Sequence, residues 1–314
     1  METKTRTPYG VYILILAALL LPLLMVKPGY YLYRELEYRY GSPTKVEQMV
    51  HDYADLMDVP YGKYPKDLIA LLETAPEARN FVLDYPFREE KEVDLSAYEE
   101  NTVPLFLQWD PMWGYEKYGS GYLAATGCGP ACLAMAGYYL TGDADMNPLA
   151  LAEFAEDNGY YAKGYGSSWT LISEGGEKLG LTVTELPLVK KKMTDALEAG
   201  NPIILAMGKG DFTSTGHYIV LTAWDGEAFS VNDPNSKVRS SQLWTYEQLE
   251  KQIRNIWASA NNFNFVSLRG AKQRGNLLYQ RLYREIATSA FGLLAMTFFF
   301  CSFTMAKKSA ILYI

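Results

Sequence analysis

The sequence predicts an α+β domain with an antiparallel sheet, set between two membrane-spanning helices. Three observations predict it. Two long uncharged runs, residues 9–26 and 286–305, stand near the ends of the 314-residue chain. Between them, helical patterns come first and turn-linked strand patterns follow. Helices and strands do not alternate as βαβ units would.

The elements follow in chain order. After a short tail (1–8) carrying Lys4 and Arg6, YGVYILILAALLLPLLMV (9–26) has no charge. No small-x-small cleavage site follows it, so it reads as an uncleaved anchor, and Pro22 is tolerated within such a helix. Residues 27–102 form a helical extension and linker. PTKVEQMVHDYADLMD places Val46, Met49, Val50, Tyr53 and Leu56 at helical spacing. Pro65 opens PKDLIALLET, as a first-turn proline does, and REEKEVD reads as a solvated linker.

A second texture begins at Val103 and runs to Leu268. PLFLQW reads as a short strand and GCGPACLAMAGYYL as a helix. PLALAEFAEDNG and SSWTLISEGGEKLG read as two more helices, the latter capped by Ser167 or Ser168. LTVTELPL is a strand pattern, and VKKKMTDALEAG a helix ending at Gly200. The strand patterns PIILAMG, HYIVLTAW and AFSVND come next, then a helix in TYEQLEKQIRN and a closing strand in FNFVSL. A basic segment (269–285) leads to IATSAFGLLAMTFFFCSFTM (286–305), which as a helix would be about 30 Å long, and to a tail (306–314).

Composition bounds the function. Apolar residues make up 49% and charged residues 21%, a globular balance. The net charge of −7 is unevenly spread: residues 41–268 hold 17 Lys/Arg against 32 Asp/Glu, or −15, while the two ends are basic. An acidic body argues against nucleic acid. Basic ends suit anionic lipid headgroups. Two spans put both termini on one side of a cell membrane. The Lys/Arg count near the spans favours a cytoplasmic body, but an intervening region of about 260 residues translocates largely regardless of charge. The signal-like N-terminus therefore favours an extracytoplasmic body.

The three cysteines, Cys128, Cys132 and Cys301, make no disulfide framework. Two histidines and these cysteines lack zinc-site spacing. GKGDFTSTG lacks the spacing of a phosphate loop and ends at a strand. No metal or cofactor is expected.

The chemistry gathers in four places. In GCGPAC, Pro130 suits a first helical turn, so Cys128 stands at a helix N-terminus. There the macrodipole and free N–H groups favour a thiolate, the nucleophilic form. Cys132 lies one turn deeper among apolar residues and is expected to be buried and protonated. A thiolate needs a proton donor and acceptor. Of the two histidines, His217 begins an apolar strand beside a solvent-facing loop, whereas His51 lies in the polar helical extension. Asp233, sixteen residues after His217, ends the next strand, and a hairpin through WDGEA would bring it back as the group that orients the imidazole. Asn232 and Asn235 are its local competitors. Gln108, twenty residues before Cys128, supplies a side-chain amide for an oxyanion, joined by the Cys128 backbone N–H.

The order Gln108, Cys128, His217, Asp233 resembles that of the bacteriocin-processing, double-glycine-type peptidases and their stand-alone relatives among papain-like cysteine peptidases. The resemblance is carried by PLFLQWDPMWGYEKYG, GCGPACLAMAGYYLTGD, GYYAKGYGSSWTL, AGNPIILAMGKGDFTSTGHYIVLTA and VNDPNS, over residues 103–240 or slightly beyond. It implies a papain-like fold and a peptide or protein substrate. It also implies four roles: oxyanion donor for Gln108, nucleophile for Cys128, base for His217 and orienter for Asp233. With two spans and no ATP-binding loop, the pattern is that of the stand-alone branch and not of a transporter fusion. The same four residues would also serve an amidase or acyl transferase acting on cell-wall peptides, or survive in a silent peptide-binding domain. Selective, pH-dependent alkylation of Cys128 over Cys132 separates an enzyme from the last of these.

Overall fold

The computed structural model describes residues 9–99, 101–164 and 166–261, and for residues 9–24 it describes the backbone alone. The apolar run at 286–305 and the strand expected in FNFVSL lie outside the described residues. Among those described, no helix is long and apolar enough to cross a membrane.

Helix α1 (Tyr9–Tyr40) is 32 residues long and continues past the expected boundary at residue 26. Its C-terminal part is tied down by a buried arginine. The Arg34 guanidinium donates to the Tyr64 carbonyl (3.2 Å) and to the Tyr30 hydroxyl (3.3 Å), and lies 5.1 Å from the Tyr61 ring centroid. Helix α2 (Lys45–Leu56) starts on a capping box: Thr44 Oγ1 accepts from the Glu47 N–H, and the Glu47 carboxylate accepts from the Thr44 N–H. Helix α3 (Lys66–Thr74) follows directly on Pro65. Val50, Leu68, Leu72, Phe81 and Val82 form a core here. Leu107, Trp109, Tyr122 and Ala124 of the following region belong to the same core. The extension is therefore packed onto the later domain, and the stretch around REEKEVD is exposed as a linker would be.

Residues 104–109 do not form the expected strand. Their backbone is clasped by side chains and loops instead of a ladder: Asn232 Nδ2 donates to the Val103 and Pro104 carbonyls (3.0 and 2.8 Å), and the Gln108 N–H donates to the Pro234 carbonyl (2.7 Å). Helices α4 (Cys128–Thr141) and α5 (Pro148–Asp157) lie where their patterns predict. Ser167 falls in a two-residue strand, Gly166–Ser167, and not at a helix cap. The helical segment after it contains a π-helical turn at Leu171–Gly175.

Among the described residues the main sheet has six strands: β1 (Leu181–Glu185), β2 (Ile203–Met207), β3 (His217–Trp224), β4 (Phe229–Asn232), β5 (Leu243–Trp244) and β6 (Ile253–Asn261). Their order is β1-β6-β2-β3-β4-β5, and the pairs from β6 to β5 are antiparallel. Helix α6 (Lys190–Glu198) ends before Gly200, whose φ of +81° only glycine adopts readily. The helix expected in TYEQLEKQIRN is one turn, Tyr246–Leu249, and β6 takes over at Ile253. The buried Gln252 side chain marks the switch, bonding the Gln248 carbonyl and Asp211.

Strand periodicity of two sorts the sheet's side chains between two cores. Ile204, Ala206, Tyr218 and Val220 face the core that holds α4. Ile203, Leu205, Met207, Ile219 and Leu221 face the other, with Met193 of α6. Each such fully buried aliphatic side chain contributes about 1.5–3 kcal/mol. This two-sided burial explains the unbroken apolar runs in β2 and β3, and it fixes which residues reach the ends of the strands.

Candidate active site

Helix α4 begins at Cys128, whose side chain is half-buried. Gly129 is needed there for close approach: a Cβ at that position would lie 2.5 Å from Ser167 Oγ and 2.6 Å from Ser167 Cβ. Ser167 is itself fixed, its hydroxyl 2.7 Å from the Tyr118 hydroxyl and its carbonyl accepting from the Tyr218 hydroxyl at 3.2 Å. Pro130 lacks an N–H, and in the first turn the backbone donors of Cys128 and Gly129 have no intrahelical acceptor.

His217 is the first residue of β3, opposite Met207 on β2. Its side chain is 8% exposed and lies 2.7 Å from Asp233 Oδ1 through Nε2, and it is close enough to Cys128 for the sulfur to help raise its pKa. With Nε2 engaged by Asp233, Nδ1 is the nitrogen left to the sulfur. The β3–β4 register, Val220 opposite Asn232, returns the chain so that Asp233 reaches back to His217. Asn232 and Asn235 are turned to other partners, Asn235 Nδ2 donating to Thr74 Oγ1 at 3.4 Å.

Asp233 is fully buried and accepts twice more. Its Oδ1 takes the Asn235 N–H at 2.8 Å, and its Oδ2 takes Arg239 Nε in a short, charge-assisted bond. Burial alone would raise the Asp233 carboxyl. The charge and hydrogen bond of His217, and then those of Arg239, outweigh it and hold Asp233 below the usual carboxylate range. Burial alone would likewise depress His217. The Asp233 charge and hydrogen bond, followed by the interaction with Cys128, raise it to about 10. Cys132 has no exposed surface. Burial, with the neighbouring Cys128 and Asp233, pushes its thiol well up, as expected of a protonated core cysteine.

Gln108 is buried beside this group. Its Nε2 donates to the Ala124 carbonyl at 2.6 Å, in the turn that leads into Cys128, while Oε1 has no hydrogen-bond partner among the described residues. His51 is remote from all of this: it bonds Glu35 at 3.2 Å and stacks on Tyr38 at 3.9 Å in the extension. Sequence reasoning missed Arg239. It lies six residues past Asp233 in a turn of ordinary composition, and nothing local marks it.

The model of the Peptidase_C39 like family matches residues 100–264, more than half of the chain. The chain belongs to this family. The Peptidase_C39 like region thus holds Gln108, Cys128, His217 and Asp233, with the sheet and α4 that carry them. No curated protein matches the chain. Among solved structures, the peptidase domain of Streptococcus ComA, a bi-functional ABC transporter involved in quorum sensing, is 21% identical. The match covers 43% of this chain and 92% of that domain, at a TM-score of 0.35. A protein from Bacillus anthracis described as a C39-like peptidase is 15% identical, over 55% of this chain and 98% of its own, at a TM-score of 0.32.

Proposed function

We propose that the chain is a cysteine peptidase that hydrolyses peptide bonds through Cys128, His217 and Asp233, with Gln108 assisting at the oxyanion. The observation that carries the reading is the 2.7 Å bond from His217 Nε2 to buried Asp233, beside a Cys128 that stands at a helix N-terminus and interacts with the same imidazole. Membership of a peptidase-like family supports it.

In this mechanism the Cys128 thiolate attacks the substrate carbonyl carbon, and the carbonyl electron pair moves onto oxygen. The Cys128 N–H and the second Nε2 hydrogen of Gln108 stabilise that oxyanion. As the tetrahedral intermediate collapses, His217 gives its Nδ1 proton to the leaving amine, and a thioester remains. Neutral His217 then takes a proton from water, whose oxygen attacks the thioester carbonyl. The acid product leaves, and the thiolate–imidazolium pair is restored. Asp233 holds Nε2–H throughout and keeps the ring in one orientation.

The enzyme is further proposed to be anchored at a cell membrane by residues 9–26 and 286–305, with its body on the outer face. The two uncharged runs support this. Peptide-library cleavage by the native chain, with Cys128→Ala as control, tests the activity. Equal cleavage by the two would refute it. Protease protection of the body in sealed cells would overturn the outward orientation.

A further inference from the structure

Residues 42–99 precede the family match, yet one of their carboxylates grips the loop that carries Asp233. Glu77 lies in the short helical turn just after α3. Its Oε1 accepts from the Ser236 hydroxyl at 2.6 Å and from the Val238 N–H at 3.4 Å, and its Oε2 accepts from the Lys237 N–H at 3.0 Å. Ser236 in turn accepts from the Arg239 N–H (3.1 Å), and Ser240 Oγ, bonded to the Ser236 carbonyl (2.7 Å), accepts from the Asp233 N–H (2.8 Å). The same loop therefore presents both Asp233 and its counter-charge Arg239. Trp109, next to Gln108, donates to the Asn235 carbonyl at 3.2 Å and closes the loop from the other side.

We propose that Glu77 is a positioning residue for the Cys128–His217–Asp233 site. Its carboxylate holds residues 236–238 so that Asp233 and Arg239 keep their register on His217. The inference rests on the proposed peptidase site and adds that the extension belongs to the working enzyme. Glu77 bonds residues 236–238 and acts through the loop. A single carboxylate taking three donors is a demanding arrangement, and the short bond from Ser236 with the two backbone contacts beside it restrains the loop.

The test uses the full chain and compares Glu77→Ala and Glu77→Gln with the native protein. The groups that set the charge state of the site are Cys128, His217, Asp233, Arg239 and buried Cys132, with the phenols of Tyr118 and Tyr218 close enough to feel Cys128. With the loop loosened, the His217 imidazolium loses part of the support that Asp233 gives it. Glu77→Ala is expected to lower kcat about tenfold with KM unchanged. The alkaline fall in turnover, set by the His217 imidazolium, should also move toward neutrality in this variant. Glu77→Gln keeps the acceptor for Ser236 and Val238 and loses the one for Lys237, so it should fall between the two.

A native kcat and an unmoved alkaline limb in Glu77→Ala overturn the positioning role, even if thermal stability falls. A native chain that cleaves no peptide overturns the peptidase reading and this inference with it.

Discussion

The two sides of the site are held by different kinds of force. On one side, Cys128 is placed by its own helix: α4 buries Leu133, Met135 and Ala136 in the core, and Gly129 is pressed against Ser167. That side is apolar packing around a regular element. On the other side, Asp233 sits beyond the end of a strand, in a loop held by polar contacts from far along the chain. Asn232 reaches back 129 residues to Val103, and Glu77 reaches forward 159 residues to Ser236. A nucleophile needs a fixed atom, and a helix end supplies one. A base needs a partner whose direction matters, and directional hydrogen bonds supply that.

Substitutions that separate the two sides would break or sharpen this comparison. The largest effect belongs to Cys128→Ala, which should reduce turnover by a factor on the order of 10⁴ or more while leaving peptide binding intact. Residual turnover near the native rate would reassign the nucleophile. Asp233→Asn comes next, with a loss of roughly 10²–10⁴-fold in kcat from the misoriented imidazole. It also strips Arg239 of its counter-charge, so a lowered Tm in the same variant is expected. A variant that kept both kcat and Tm would show that the polar side is dispensable. Gln108→Ala should cost about 10²–10³-fold in kcat, read against an unchanged KM.

The pH profile probes the pair directly. His217 has its folded-state pKa raised to about 10, so the stability of its charged form is fully present below its ordinary value of 6.5 and lost as pH rises through about 10. Turnover should fall over that same alkaline range, since the leaving amine then lacks its proton. A fall centred near neutrality would mean that Asp233 does not support the imidazolium. The smallest effect is expected from Cys132→Ala: activity retained, with about 1 kcal/mol of stability lost from the core, measured by chemical denaturation.

The helix-borne side of the site was legible in the sequence and the loop-borne side less so. GCGPAC announces a helix start with a sulfur at its tip because proline and glycine have local, position-specific meanings. His217 and Asp233 were legible as the ends of neighbouring strands joined by a turn. Arg239 and Glu77 were not, since their roles depend on contacts between segments that no periodicity relates. The same reason explains the error at PLFLQW. Its apolar alternation suits a strand, but the backbone partners it finds are the Asn232 side chain and the Pro234 carbonyl. In TYEQLEKQIRN, polar residues at helical spacing hid the point at which Ile253, Ile256 and Trp257 turn inward as a strand.

The core shared between the extension and the Gln108 segment carries a practical consequence for anyone expressing this protein. A fragment trimmed to the family boundary at residue 100 would leave Leu107, Trp109, Tyr122 and Ala124 facing solvent, a contiguous greasy surface of the sort that drives aggregation. The folded unit is thus larger than its family signature and takes in the extension that completes this core.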